Sequence, residues 1–129
     1  MAQSELVESL VRRQARAWET NDFDLAAEDW LPDGELIAPG GRWKLLELRS
    51  EMEDFHASFC DLKVTLTSLF SSCDGTHLAI EWLWEVTRRS DGERSTTRDA
   101  IIADLSGGRI KSWREYFDPT SSVESGQNA

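Results

Sequence analysis

Asp99 and Glu115 are the side chains of this 129-residue sequence best placed for proton chemistry, because each stands in an alternating segment among apolar neighbours. Asp99 follows the pattern Thr97-x-Asp99-x-Ile101-x-Ala103, and Glu115 follows Trp113-x-Glu115-x-Phe117. Alternate residues of a strand share a face, so both carboxyls are expected to point into an apolar interior. Two carboxyls close together in such a place cannot both ionise cheaply. One keeps its proton near neutral pH and can act as an acid, and the other is free to act as a base. The structural alternative is that each is buried and hydrogen-bonded to an indole N–H or to the backbone.

Aromatic residues would surround such a pair. Trp18, Trp30, Trp82, Trp84 and Trp113, with Phe117, offer flat faces and a few N–H donors suited to a hydrophobic small molecule, and Thr97 and Ile101 share their side of the sheet. Core filling is the competing reading for all of them, and the stronger one for Trp18 and Trp30. His56 follows Phe55 on a helix and could relay protons at a cavity rim, or be an ordinary surface histidine. Trp43 stands at a helix start beside a Gly-rich loop, either at the cavity mouth or in a local contact.

The elements that must position these groups follow from periodicity. Ser4 can cap a helix in which Leu6, Val7, Leu10, Val11 and Trp18 recur at helical spacing up to Asn21. A short helix fits 22–30, ended by Pro32, and a short strand fits 35–38 before Pro39-Gly40-Gly41 breaks it. Leu45, Leu48, Met52, Phe55 and Phe59 then mark one face of a third helix over 44–59, with carboxylates opposite. Strands are predicted at 62–71, 76–89, 94–105 and 109–117, separated by Asp74-Gly75, Asp91-Gly92 and Gly107-Gly108, which makes a meander. The fold class is therefore α+β, with three N-terminal helices packed on a curved, mainly antiparallel sheet that encloses a pocket. The domain is expected over 1–118 and a polar, disordered tail over 119–129.

Register decides which residues meet. A two-residue Asp91-Gly92 turn sets Trp84 opposite Asp99, Trp82 opposite Ile101 and Glu85 opposite Arg98. At Gly107-Gly108 a plain turn would bury Arg114, whereas a turn with a bulge brings Trp113, Glu115 and Phe117 inward and leaves Lys111, Arg114 and Tyr116 outside. The bulge is the expected arrangement.

This order of elements, with Asp22-Phe23-Asp24, Pro39-Gly40-Gly41 and the ending Gly108-Arg109-Ile110 and Trp113-Arg114-Glu115-Tyr116-Phe117-Asp118, resembles the SnoaL-like branch of the nuclear transport factor 2-like superfamily. The resemblance covers about residues 4–118 and implies a cone-shaped fold, a small-molecule pocket and dimerisation through the outer sheet face. It does not single out a reaction. Where limonene-epoxide hydrolase-like members carry an Arg-x-Asp, this chain has Trp82-Leu83-Trp84, although Glu115 matches their terminal-strand Asp. The ketosteroid isomerase-like base falls at Ala38 and the Tyr of the first helix at Gln14. SnoaL-type cyclases use a pocket Asp for which Asp99 or Glu115 could stand. The expected function is thus binding of a hydrophobic small molecule, with acid/base catalysis and a non-catalytic binding or dimerisation module both open.

Composition narrows the partners. The net charge of -10 is concentrated in 1–61, with fourteen carboxylates against six Lys and Arg, and such a surface repels nucleic acid and anionic lipid. No apolar run approaches a membrane span, and the N-terminus lacks the pattern of a signal peptide, so a cytoplasmic protein is expected. Cys60 and Cys73 flank a strand too long for disulfide reach and are expected as free thiols; no metal site and no cofactor are expected.

Overall fold

The computed structural model describes residues 2–119. Helix α1 (Gln3–Glu19) starts two residues earlier than a Ser4 cap predicts, with Ala2 at the cap position, because the Glu5 carboxylate reaches back to accept from the Ala2 N–H at 2.9 Å. It buries Val7, Leu10, Val11, Gln14 and Ala17 along one stripe. Asp22 caps α2 (Phe23–Ala27) through the Leu25 N–H. That helix stops well short of Pro32, since Trp30 opens strand β1 (Trp30–Ala38) instead.

Tertiary contacts explain the early stop. Trp30 is 2% exposed, and its indole N–H donates to Gln14 Oε1 at 2.9 Å, while Gln14 Nε2 donates to the Ala26 carbonyl. Nearby, Arg13 clamps Asp29 with two bonds of 2.8 and 2.9 Å. The α2–β1 junction is therefore fixed by α1 rather than by its own helix signals. Gly34 allows β1 to pass over this tryptophan: an added Cβ would lie 2.6 Å from Trp30 Cε3 and 2.9 Å from the Ile110 carbonyl oxygen. Both neighbours are buried, so Gly34→Ala is expected to cost about 1–3 kcal/mol, read as a lowered urea midpoint at unchanged m.

Pro39-Gly40 is a hairpin turn rather than a break. Ala38 pairs with Gly41, and strand β2 (Gly41–Lys44) runs back beside β1. Helix α3 (Leu45–Ser58) follows at once and buries Leu45, Leu48 and Met52. Strands β3 (Phe59–Ser71), β4 (His77–Arg88), β5 (Arg94–Ser106) and β6 (Arg109–Tyr116) form the expected meander. The sheet is six-stranded in the order β2-β1-β6-β5-β4-β3, and β1 lies parallel to β6, with Leu36 beside Trp113. The fold is α+β with an open, mostly antiparallel sheet. Cys60 and Cys73 are free thiols.

Two hairpins differ from expectation in instructive ways. Around Asp91-Gly92 the pairing is shifted by two residues: Thr87 faces Arg94, Trp84 faces Thr97, Trp82 faces Asp99, and Glu85 faces Thr96 instead of Arg98. Gly92 has φ 73° but Asp91 is not in the left-handed region, so the two-residue turn that needs both is not formed. Arg88 ties the longer loop by pairing with Asp91 and Glu93, each at 2.8 Å. A shift of two leaves the faces unchanged, so the tryptophan side of β4 still meets the Asp99 side of β5.

The last hairpin is both alternatives at once. Gly107 and Gly108 have φ of 60° and 79° and make a plain two-residue turn in which Ser106 faces Arg109. The register slips only further along, between Asp104 and Leu105, where Lys111 is the extra residue of β6. Beyond that bulge Ala103 faces Trp113 and Ile101 faces Glu115. Arg114 lands outside and pairs with Asp104 at 2.7 Å. Asp104 also meets His77 at 2.9 Å.

No helix among the described residues is long and apolar enough to cross a membrane. The tail expected over 119–129 lies, from residue 120 onward, outside the described residues.

Candidate functional site

A cavity of about 490 Å³ opens between α3 and the inner face of the sheet. Its helical wall is Leu48, Glu51 and Phe55, one stripe of α3, with Trp18 from the end of α1. The sheet supplies Trp84 and Val86 from β4, Ser95, Thr97 and Asp99 from β5, and Glu115 from β6. Leu36, Ala38, Pro39 and Trp43 close the β1–β2 side, with Phe117 after β6. Arg88 and Glu93, at the β4–β5 loop, lie at the rim.

The aromatic wall is one packed unit. Trp18, Phe55 and Trp84 meet edge to face, with centroids 5.4–6.0 Å apart, and Phe59 stacks on Phe55 at 5.0 Å. Such contacts fix ring orientation as well as burying area. His56 does not line the cavity; its Nε2 lies 2.6 Å from the Trp18 carbonyl oxygen, so it ties α3 to the end of α1 behind that wall.

Asp99 and Glu115 come together on the cavity floor. Glu115 stands opposite Ile101, and Asp99 is the next inward residue of β5. Asp99 is 5% exposed, and its Oδ2 accepts from the Trp82 indole N–H at 3.1 Å, while its Oδ1 has no partner. Glu115 Oε2 accepts from the Trp113 indole N–H at 2.8 Å. Glu115 keeps some accessible surface only because it borders the cavity; its carboxyl is otherwise enclosed by protein.

Burial pushes the Glu115 pKa well above the ordinary carboxylate range, the charge and hydrogen bonding of Asp99 push it the same way, and the Trp113 N–H opposes. Burial also raises Asp99, but hydrogen bonds from Glu115 and Trp82 pull it back. The two groups therefore titrate as a pair in which the proton rests on Glu115 and Asp99 ionises first. A protonated Glu115 supplies a donor to a carboxylate that otherwise has one indole.

Of the residues singled out in the sequence, Trp18, Trp84, Thr97, Asp99, Glu115 and Phe117 border the cavity. Trp82, Trp113, Ile101 and Trp30 do not. Trp82 and Trp113 are 2% and 3% exposed and stand behind the carboxyls as their donors, with ring centroids 5.8 Å apart. Ile101 is fully buried beneath the floor, and Trp30 belongs to the α1–β1 core described above. Sequence reasoning missed Glu51. Its signal was its place three residues after Leu48 and four before Phe55, which puts it on the inward stripe rather than opposite.

Residues 11–113 match the SnoaL-like domain family. The chain belongs to the SnoaL-like family. Solved structures of the same fold include a protein with a ketosteroid isomerase-like fold from Catenulispora acidiphila in complex with trimethylamine, at 18% identity and TM-score 0.79, covering 87% of both chains. A Bacillus subtilis protein provisionally assigned as an isomerase shares 16% identity at TM-score 0.79 over 92% of this chain and 91% of its own. A Xanthomonas campestris protein provisionally assigned as a polyketide cyclase shares 15% at TM-score 0.77 over 91% and 93%. No curated protein matches in sequence. At these identities the likeness carries the fold alone, and the chemistry of this SnoaL-like chain rests on its own side chains. Gln14, at the position where the resemblance would set an isomerase tyrosine, is 3% exposed and spent on Trp30 and Ala26.

Proposed function

We propose that the protein is an acid/base enzyme acting on a hydrophobic small molecule, with Glu115 as proton donor and Asp99 as proton acceptor. The observation that carries this reading is the paired carboxyls on the cavity floor, one buried acceptor oxygen of which is left without a partner. A buried polar atom without a partner costs about 1–3 kcal/mol, which a purely structural pair would have little reason to keep. Trp82 and Trp113 hold the two carboxyls in place from behind, so the pair can exchange a proton with a ligand in front.

The reaction consistent with this arrangement is proton removal and return on one substrate: isomerisation, cyclisation or loss of water. Asp99 takes a proton from carbon or oxygen and Glu115 gives one to the atom where negative charge develops. In an isomerisation Asp99 then returns its proton to a different atom while Glu115 regains its own, and after loss of water the proton passes from Asp99 to Glu115. The aromatic wall would hold the apolar body of the substrate. Two neighbours of the same fold provisionally assigned as an isomerase and a polyketide cyclase favour this class.

Carboxyl NMR on the wild-type protein tests it. The Glu115–Asp99 pair is expected to lose its second proton well above the ordinary carboxylate range, against references near 4. Ordinary titration of both groups near pH 4 would leave the pocket a binding cavity without acid/base chemistry.

A further inference from the structure

The charges around the cavity are of one sign. Among the described residues, Glu51, Glu93 and Asp99, with the protonated Glu115 beside them, border it against one cation, Arg88, and Arg88 is already engaged by Asp91 and Glu93 at 2.8 Å each. Glu51 is the odd one among the acidic residues of α3. Glu47, Glu53 and Asp54 are exposed, and Glu47 caps the helix through the Lys44 N–H, whereas Glu51 is half-buried on the cavity stripe and forms no hydrogen bond or ion pair among the described residues.

A second carboxyl has one bare oxygen. Asp99, 5% exposed, turns into the same cavity with Oδ1 unpartnered. Trp18, Phe55 and Trp84 form the adjoining wall, and the negative face of an aromatic ring attracts a cation while its area buries an apolar body. An anionic ligand would meet repulsion from Glu51, Glu93 and Asp99, and a neutral one would leave the Glu51 carboxylate partly desolvated with nothing to offset it.

We propose that this cavity selects a hydrophobic cation, a protonated or quaternary amine, with Glu51 as the residue that sets the preference. The apolar body of the ligand lies against Trp18, Phe55 and Trp84, and its ammonium group faces Glu51 within the negative field to which Asp99 contributes. This rests on the same cavity as the acid/base reading but not on proton transfer there. Because a cation in the cavity favours ionised carboxyls, its binding also releases protons from the Asp99–Glu115 pair near neutral pH.

Calorimetry on the full chain at pH 7 with three probes decides it: phenyltrimethylammonium, its neutral isostere tert-butylbenzene, and 4-tert-butylbenzoate, which adds an anionic carboxylate to that neutral frame. The cation is expected to bind at least about tenfold tighter than the neutral probe, and the anion weakest. In Glu51→Gln the preference should fall to within about threefold while the neutral probe binds at least as tightly as in the wild type, since the desolvation of a charge is gone, a control that the cavity is intact. Equal or tighter binding of the neutral or anionic probe, a preference unchanged in the variant, or no binding by any probe overturns the proposal. A cation preference without a raised Glu115 titration would sink the acid/base reading and leave this one standing. The reverse pair of results would do the opposite.

Discussion

Glu115→Gln is expected to lower proton-transfer turnover by about 10²–10⁴-fold while making the protein more stable than wild type at neutral and alkaline pH. The two effects have one cause. In the folded chain the Glu115 pKa is raised by burial first and by Asp99 second, so the protonated form is the one the fold favours. A group raised in this way contributes its full stability below its unfolded pKa near 4 and loses that contribution as pH rises through the folded value. Gln cannot ionise, so the loss is absent in the variant. The amide oxygen can still accept from Trp113, and the amide N–H can still donate to Asp99, which keeps the local geometry. Thermal melts of both proteins across pH 4–8 should therefore diverge upward with pH in favour of the variant. A variant that instead melts lower at pH 8, with turnover intact, would show Glu115 to be a structural acid.

The sequence made this pair visible because alternation survives errors that register does not. Asp99 and Glu115 lie inward whether the β4–β5 hairpin pairs Trp84 or Trp82 with Asp99, since the error was an even number of residues. What alternation could not supply was the partner: Trp82, not Trp84, faces Asp99 and donates to it. That exchange moved one tryptophan from the ligand wall to the supporting layer. The bulge near the last turn was expected from the cost of burying Arg114, yet its position at Lys111 was not, because Gly107-Gly108 satisfies the plain turn by itself.

Other features were illegible for physical reasons. The parallel pairing of β1 with β6 joins segments far apart in sequence, and nothing local in residues 30–38 announces it. Trp30 reads as the end of a helix by spacing, but its bond to Gln14 draws it into a strand. Glu51 looks like one more solvated carboxylate of an amphipathic helix, and only the sheet opposite turns it into part of a cavity. The strand order of the meander, by contrast, follows from local periodicity and turn signals, which is why it agrees with the structure, whereas of the expected helical stripes Leu6 is exposed and Phe59 opens β3.

The Trp82→Phe variant separates support from chemistry. Trp82 is 2% exposed, and its N–H is the donor to Asp99 Oδ2. Phe fills most of the volume but takes the indole donor from a buried carboxyl and leaves a small void, at a cost of about 2–4 kcal/mol and a fall in melting temperature on the order of 10 °C at pH 7. Losing that donor removes one of the two influences that hold the Asp99 pKa down, so Asp99 should titrate higher in the variant. The destabilisation should accordingly shrink at pH 4, where Asp99 takes up its proton and no longer needs the indole. A pH-independent loss of stability would mean that only packing was disturbed. If the base is Asp99, the acidic limb of any pH–rate profile must move upward with its titration, because a better-protected proton leaves less of the free carboxylate at a given pH. A profile that stays in place while the Asp99 titration moves would assign the base elsewhere.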